Sequence, residues 1–370
     1  MSAIYIHIPF CRTRCTYCDF FSGTNLQLKS RYIDALKKEI SLRKNYLENR
    51  TIKTIYFGGG TPSLLSYDEL SSIFETLKQN FDLSDCEEIT LECNPDDLSE
   101  SYVSQLEKLP INRLSIGVQS FNDKELRFVN RRHSAKQAID AVRLCQKNGF
   151  NNISIDLIFG LPFQSLESFS ANLNCLLELD VQHVSVYGLT IEDGTRIEQQ
   201  CQQKLFVPTS EEESVLMYQK AIEVLTINGF EHYEISNFAK PKMRSKHNSS
   251  YWSGSHYLGV GSGAHSYNGI SRQWNVCNIN QYCSLNDYFE VEHLLEVDVY
   301  NELIITNLRR IEGIDLVFLC QKFGDKYYSH CKKSAQRYLQ NGLLEKKGNY
   351  LKLTSKGLLL SDTIIRDLMF

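Results

Sequence analysis

Six short runs of apolar and β-branched residues alternate with longer helical patterns between residue 3 and about residue 230. The runs occupy residues 3–8, 54–59, 88–93, 113–118, 153–159 and 183–189. Helical spacing of apolar residues is found over residues 31–47, 67–81 and 135–150. Near-continuous apolar strands separated by helices predict an α/β fold in which helices cover a parallel sheet.

The number of strand–helix units limits the architecture. Six units are too few to close a standard eight-fold barrel, so they form either an open, partial (β/α)6 barrel or a doubly wound sheet. In both architectures ligands bind at the carboxyl ends of the strands. We expect this unit to span residues 1–230 and to carry its site at that edge.

The pattern changes after residue 230. Residues 231–298 are rich in His, aromatic, Gly and Ser residues and lack helical periodicity, so we expect an irregular but ordered segment over the barrel mouth. Residues 299–370 return to helical patterns and then contain a short hairpin pattern at residues 348–357. Helices followed by a small hairpin favour a winged-helix-like C-terminal domain.

Charge gives no sign of a nucleic-acid partner. The chain has 40 Lys and Arg against 44 Asp and Glu, a net charge of −4, so no global field attracts nucleic acid or an anionic membrane. Residues 300–370 hold 12 basic and 7 acidic residues, which is only mildly positive. We therefore expect that nucleic acid is not a partner, although a regulator that binds DNA through this domain is a third class of function to test.

The sequence predicts a cytoplasmic protein that is not integral to a membrane. No apolar run approaches the ~20 residues needed to span a bilayer, and the first ten residues lack the pattern of a secretory signal. Nine of the 12 cysteines are scattered at irregular spacings. Such scatter is typical of free thiols in a reducing compartment.

Cys11, Cys15 and Cys18 form a C-x3-C-x2-C pattern directly after the first predicted strand. A structural zinc ion normally takes four protein ligands, and core thiols would not cluster in a loop that contains Arg12 and Arg14. Three soft thiolates on one short loop suit three corners of a [4Fe–4S] cluster. The pattern thus favours a cluster whose fourth iron is free to bind an outside ligand.

Polar or glycine residues follow several of the predicted strands. "FGGGTPS" (residues 57–63) follows the second, where glycines let the backbone approach a ligand closely. Glu92, Gln119 and Asp156 lie at other strand ends, and Arg131 lies in "VNRRH". Each of these residues alone could be an ordinary turn or a satisfied polar group, but their repeated position is the one a barrel-mouth site requires.

The cysteine pattern after the first strand resembles that of the radical S-adenosylmethionine (SAM) superfamily, and "GGGTP" resembles its second motif. The resemblance implies that the amino and carboxylate groups of SAM bind the open iron. It also implies that the reduced cluster gives one electron to the sulfonium, which yields methionine and a 5′-deoxyadenosyl radical. Phe10, Tyr17, Phe20 and Phe21 would exclude solvent from the cluster, or simply pack in the core.

The whole chain resembles the oxygen-independent coproporphyrinogen III dehydrogenase (oxidase) group. The matching motifs, in chain order, are "YIHIPFC", "GGGTP", "GVQSFND", "VNRRH", "IDLIFGLP" and "YEISNFA". By motif position, the resemblance places Tyr5, Gly59 and Glu92 at the SAM on the cluster. It places a further set near a second SAM, namely Tyr17, Gly60, Thr61, Gln119, Arg131 and Asp156.

Two departures favour the haem chaperone branch of this group over the dehydrogenase. The dehydrogenase has a fourth cysteine where Phe20 stands here, and it has an extension before the first strand, whereas Cys11 comes almost at once in this sequence. The resemblance to the haem chaperones implies binding of haem and its transfer to acceptor proteins, supported by the cluster, SAM and an electron donor. The dehydrogenase, which decarboxylates propionate side chains by radical chemistry, stays as the alternative.

An "HNxxYW" element marks the haem chaperone branch. It is present as His247, Asn248, Tyr251 and Trp252. An imidazole can ligate haem iron, and Tyr and Trp rings can stack on a porphyrin. The structural alternative is a capped turn anchored by Trp252. Other candidate axial ligands are a cysteine or one of the nearby histidines His232, His256 and His265.

Overall fold

A computed structural model describes residues 2–370 and begins with six parallel strands. They are β1 (Ser2–Ile8), β2 (Ile52–Gly59), β3 (Glu88–Cys93), β4 (Arg113–Gln119), β5 (Ile153–Phe159) and β6 (His183–Gly188). Each predicted strand is confirmed to within two residues, because these β-branched runs are buried on both faces of the sheet.

The order of these strands decides between the two predicted architectures. They lie side by side in chain order, β1 to β6, and each neighbouring pair is parallel. In a doubly wound sheet all strands are still parallel, but their order in the sheet reverses near the centre. At the two edges of this set, β1 and β6 each pair with a strand from later in the chain, and β1 does not pair with β6. The predicted open, partial (β/α)6 barrel is therefore confirmed.

Fourteen α-helices lie between and after these strands in residues 2–370. The α-helices are α1 (Lys29–Leu42), α2 (Tyr67–Asn80), α3 (Glu100–Leu106), α4 (Asp123–Phe128), α5 (Ala135–Lys147), α6 (Leu166–Leu177), α7 (Arg196–Gln202), α8 (Glu211–Ile227), α9 (Lys246–Trp252), α10 (Ile279–Ser284), α11 (Glu296–Leu308), α12 (Leu316–Gln340), α13 (Ser355–Leu358) and α14 (Ser361–Leu368). Short 3-10 helices span Leu26–Leu28, Pro62–Leu64 and Pro95–Asp97. Capping boxes begin α2 at Ser66 and α5 at Ser134, which satisfies their first backbone N–H groups.

Residues 231–298 are not irregular, contrary to the prediction. They contain β7 (Glu231–His232), β8 (Asn237–Ala239), β9 (His256–Val260), β10 (His265–Tyr267), β11 (Ser271–Asn275) and β12 (Phe289–His293). The strands extend the sheet at both edges, in the order β12-β11-β10-β9-β1 and β6-β8-β7. They were missed because strands of two to five residues are too short to show alternation.

The position of α9, which belongs to this segment, also differs from the prediction. The backbone N–H groups of Lys246 and His247, at the start of α9, donate to the carboxylate of Glu88 at 2.9 Å each. Glu88 is the first residue of β3, so α9 lies at the amino ends of the strands and not at the barrel mouth. The predicted boundaries of this segment stay a prediction.

A buried polar network fixes the added strands to the barrel. The carboxylate of Glu39 on α1 accepts from Arg43 (3.1 Å), Gly261 N (2.8 Å) and Tyr282 OH (2.6 Å). Arg43 in turn donates to the carbonyl of Gly259 at 2.9 Å. Glu39 is fully buried and Arg43 is nearly fully buried. The cost of burying these two charges is therefore offset only while β9 and α10 stay in place.

The last part of the chain has a separate apolar core built around Tyr300, Leu319 and Ile364. Its sheet contains β13 (Ile314–Asp315), β14 (Leu344–Lys347) and β15 (Tyr350–Leu353), in the order β13-β15-β14. Non-helical angles at Gly324 divide α12 into two helical stretches. The succession of helix, strand, two helices and hairpin is that of a winged helix, which confirms the prediction. Nowhere in residues 2–370 is a helix both long and apolar enough to cross a bilayer.

Candidate cluster and cofactor site

The loop that carries the three cysteines is held from both sides. Cys11 N donates to Gly23 O at 2.9 Å and closes the loop on itself. Thr16 N donates to Val129 O at 3.1 Å, and Thr16 O accepts from Ile197 N at 2.9 Å. These backbone bonds order a segment that has no regular secondary structure of its own, so the backbone that carries the cysteines is held in place before any ligand binds.

Hydrogen-bond donors approach two of the three sulfurs. Thr61 Oγ1 lies 3.4 Å from Cys11 Sγ, and Arg131 Nη1 lies 3.3 Å from Cys15 Sγ. Although burial lowers it, the proximity of Cys15 raises the pKa of Arg131 above its ordinary value, so the guanidinium stays charged. Burial raises the pKa of the Cys18 thiol to about 11. Arg131 therefore places a positive charge directly beside the cysteine loop.

The donor set suits an iron–sulfur cluster better than a single ion. No three His, Cys, Asp or Glu side chains of the described residues are placed to share one metal ion. A mononuclear zinc site requires such a shared position, whereas a [4Fe–4S] cluster takes each thiolate on a different iron.

A cavity of about 440 Å³ at the carboxyl ends of the strands collects most of the predicted site. Its wall includes all three cysteines of the motif. It also includes eight of the nine predicted SAM residues, namely Tyr17, Gly59, Gly60, Thr61, Glu92, Gln119, Arg131 and Asp156. Tyr5 lies instead at the wall of a larger cavity, and its hydroxyl is 3.0 Å from His7 Nδ1.

Glu92 is a partly buried carboxylate with two donors from the neighbouring strand. Tyr56 OH donates to it at 2.7 Å and Gly59 N at 3.1 Å. Burial raises the pKa of Glu92 to about 7; the bond from Tyr56 opposes this shift and the charge of Asp156 adds to it. Burial likewise raises the pKa of Asp156 to about 6. A cationic ligand in this cavity would favour the charged form of both carboxylates and so lower their pKa values.

Gly59 has to be a glycine where the chain leaves β2. Its φ is +112°, and a Cβ there would lie 2.6 Å from the ring of His7. The missing side chain lets β1 and β2 approach each other below the cavity. Gln119 also has positive φ (+69°), at a register irregularity in which Gly117 pairs with Asp156 and Gln119 with Leu157. Such irregularities often redirect side chains next to functional sites.

Sequence reasoning missed several residues of this cavity. Asn94 accepts from Arg131 Nη2 at 2.8 Å and so helps to aim the guanidinium at Cys15. Cys93 and Tyr187 also line the wall. All three stand within one residue of the end of a strand, which is the signal that could have identified them.

The residues of the HNxxYW element lie in two different environments: some are in the protein interior and some line a cavity. His247 is buried, with Nδ1 2.9 Å from Thr54 Oγ1 and Nε2 2.8 Å from Tyr251 OH. Burial lowers the pKa of His247 to about 3, so its ring is neutral. Tyr251 and Trp252 line the larger cavity, whereas His247 and Asn248 do not. His247 is therefore a buried structural anchor of α9, whereas Trp252, the expected anchor of a capped turn, lines the larger cavity.

Comparison with known proteins agrees with this architecture. Residues 5–176 match the family model of the radical SAM superfamily, and residues 294–360 match that of the HemN C-terminal domain. Coproporphyrinogen III oxidase (HemN) from Escherichia coli, described as a radical SAM enzyme, is 26% identical with a TM-score of 0.87; the match covers 100% of this chain and 90% of that one. The fold and the cysteine loop therefore define a radical SAM protein.

Curated relatives narrow the class further. Haem chaperone HemW of Lactococcus lactis is 33% identical over 98% of this chain and 96% of its own length. Haem chaperone HemW of Bacillus subtilis is 35% identical over 98% of both chains. The chain belongs to the HemW family. Membership implies a [4Fe–4S] cluster and SAM as cofactors and an interaction with haem.

Proposed function

We propose that the protein is a haem chaperone that binds haem and transfers it to acceptor proteins, and that it carries a [4Fe–4S] cluster and an exchangeable SAM. The observation that carries the proposal is similarity to HemW haem chaperones over nearly the full length of both chains. Phe20 supports the same choice, since it stands where the dehydrogenase group has its fourth cysteine.

Cys11, Cys15 and Cys18 are the proposed cluster ligands, one on each of three irons. When bound, the cluster would supply one-electron chemistry and an open iron for the amino and carboxylate groups of SAM. The chain's own contribution is to hold and polarise the sulfurs. Thr61 and Arg131 donate to two of them, and such bonds to cluster sulfurs help to set its potential.

The SAM-binding role is proposed for the residues of the smaller cavity. The Glu92 carboxylate, at the end of β3, offers a negative group to the cationic ligand. Asp156 faces the same cavity, and Gly60 and Thr61 leave room beside the cysteine loop. Apart from Tyr5, the residues assigned to the first and second SAM share this one cavity wall.

The rival function is oxygen-independent coproporphyrinogen III dehydrogenation. The similarity to HemN, which extends over the whole chain, favours it. Anaerobic incubation with coproporphyrinogen III, SAM and a reductant would separate the two. Decarboxylated porphyrinogen formed over many turnovers would overturn the chaperone proposal.

Haem titration of the anaerobically reconstituted protein tests the proposal itself. We expect a saturable Soret band with a defined stoichiometry, and its replacement by the spectrum of the haem-bound acceptor when a haem-free acceptor such as apomyoglobin is added. Absence of saturable haem binding would remove the chaperone function.

A further inference from the structure

A second cavity, of about 870 Å³, lies beside the first. It is formed by the β1 edge of the barrel, the end of α9, the strands β9 to β11 and two helices of the C-terminal domain, α11 and α12. Phe20, from the cysteine loop, lines both cavities. A ligand here would therefore lie next to the proposed cluster without occupying the proposed SAM site.

The wall of this cavity is mostly aromatic and aliphatic. Phe21, Tyr251 and Trp252 contribute rings on the barrel side, and Phe318 contributes one from the C-terminal domain. Cavities of ~300–1,000 Å³ with apolar walls and a few polar groups are typical of small-molecule sites. The indole N–H of Trp252 is buried and has no acceptor within residues 2–370, so an incoming ligand or water would satisfy it.

The cavity wall has few charged side chains, and they differ in whether they have an ion-pair partner. Arg272 is paired with Glu302, and it also donates to Tyr257 OH at 3.1 Å. Lys322, on α12, has no ion-pair partner within the described residues and stands beside Phe318 and Phe323. One uncompensated cation at the edge of an apolar cavity suits a flat apolar ligand with an acidic substituent.

Two histidines line the cavity, and they differ in what their ring nitrogens can do. His7 has Nδ1 3.0 Å from Tyr5 OH and Nε2 3.0 Å from Phe21 O, so neither nitrogen is available. His265 has no hydrogen-bond partner on its ring among residues 2–370 and stacks on Trp274 with centroids 6.2 Å apart. The ring nitrogens of His265 are therefore available to a ligand that enters the cavity.

We propose that haem binds in this larger cavity, with His265 as an axial ligand of the iron and Lys322 as the partner of a propionate. This inference rests on the proposed haem-binding function and deepens it. It removes His247 from the candidate ligands, because both of its nitrogens are engaged in the protein interior. His256 and His232 do not line the cavity either.

Substitution of His265 tests the axial ligand. His265→Gly should weaken haem binding about tenfold or more and shift the Soret band, and added imidazole should restore the wild-type spectrum. His256→Gly, in the same segment, is the matched control and should leave spectrum and affinity unchanged. If wild type binds haem and the His265 variant has an unaltered spectrum, the inference is wrong while the chaperone function stands. If wild type binds no haem, the proposed function itself fails.

Lys322 tests the orientation of the ligand. Lys322→Ala should weaken binding of haem by several-fold but leave binding of haem dimethyl ester, which lacks the acids, unchanged. Lys326→Ala, further along the same helix and outside the cavity, is the control. Equal effects of Lys322→Ala on haem and its ester would contradict the propionate contact. Displacement of haem by saturating SAM would place haem in the smaller cavity and overturn the inference.

Discussion

Replacement of Glu92 by glutamine should make the ligand-free protein more stable at high pH. The ordinary pKa of Glu is 4.5, and burial raises that of Glu92 to about 7 in the folded chain. The folded state therefore binds a proton that the unfolded chain has already lost, and stability falls as pH rises from about 4.5 to about 7. The difference in pKa corresponds to at most about 3 kcal/mol. Since the cavity admits water, we expect about half of that.

The assay is urea-induced unfolding of cluster-free, SAM-free protein from pH 4.5 to pH 8. Asp156, Tyr56 and Arg113 also surround the carboxylate, but they are common to both proteins. The difference in the free energy of unfolding between Glu92→Gln and wild type should therefore grow with pH by about 1–2 kcal/mol. Glu75→Gln, which removes an exposed carboxylate on α2, should show a constant difference. A constant difference for Glu92→Gln as well would refute the reasoning.

Three further predictions concern the loop, the strand crossing and the polar network. Alanine at Cys11, Cys15 or Cys18 should abolish the brown chromophore and the bound iron, whereas Cys145→Ala, a buried thiol on α5, should keep both. Gly59→Ala should abolish SAM binding, measured by equilibrium dialysis, because the added Cβ would lie 2.6 Å from the ring of His7. Gly149 also has positive φ but has open space around it, so Gly149→Ala should lower the stability and leave SAM binding unchanged. Glu39→Ala should lower the free energy of unfolding by about 3–5 kcal/mol, because the substitution leaves Arg43 charged and buried. Asp34 pairs with Lys37 at the surface, so Asp34→Ala should change the free energy of unfolding by less than about 1 kcal/mol.

The sequence was informative where one physical rule acts over many residues. The runs that became β1 to β6 are buried on both faces, so their composition alone marks them. Once the strands are parallel and in order, the residues at their carboxyl ends must meet at one edge. This rule predicted that Glu92, Gln119 and Asp156 would share a cavity with the cysteine loop, although nothing in their local sequence relates them.

The sequence was not informative where structure depends on a few long-range contacts. β9 is recognisable as a strand only through its pairing with β1, and β10 only through its pairing with β9 and β11. The glycines of residues 259–263 contributed to the expectation of an irregular segment. A Cβ on Gly259 would lie 1.9 Å from the carbonyl oxygen of His265, which marks a tight crossing of two strands. The HNxxYW pattern likewise gave no sign that Thr54 engages His247.

The most direct test of the account is electron paramagnetic resonance of the anaerobically reconstituted, dithionite-reduced protein, recorded with and without SAM and combined with iron analysis. We predict about four irons per chain and a cluster signal whose g-values change when SAM is added, because SAM binds an iron that no cysteine holds. A signal that SAM leaves unaltered, or a protein that holds zinc and no iron at Cys11, Cys15 and Cys18, would contradict the central claim.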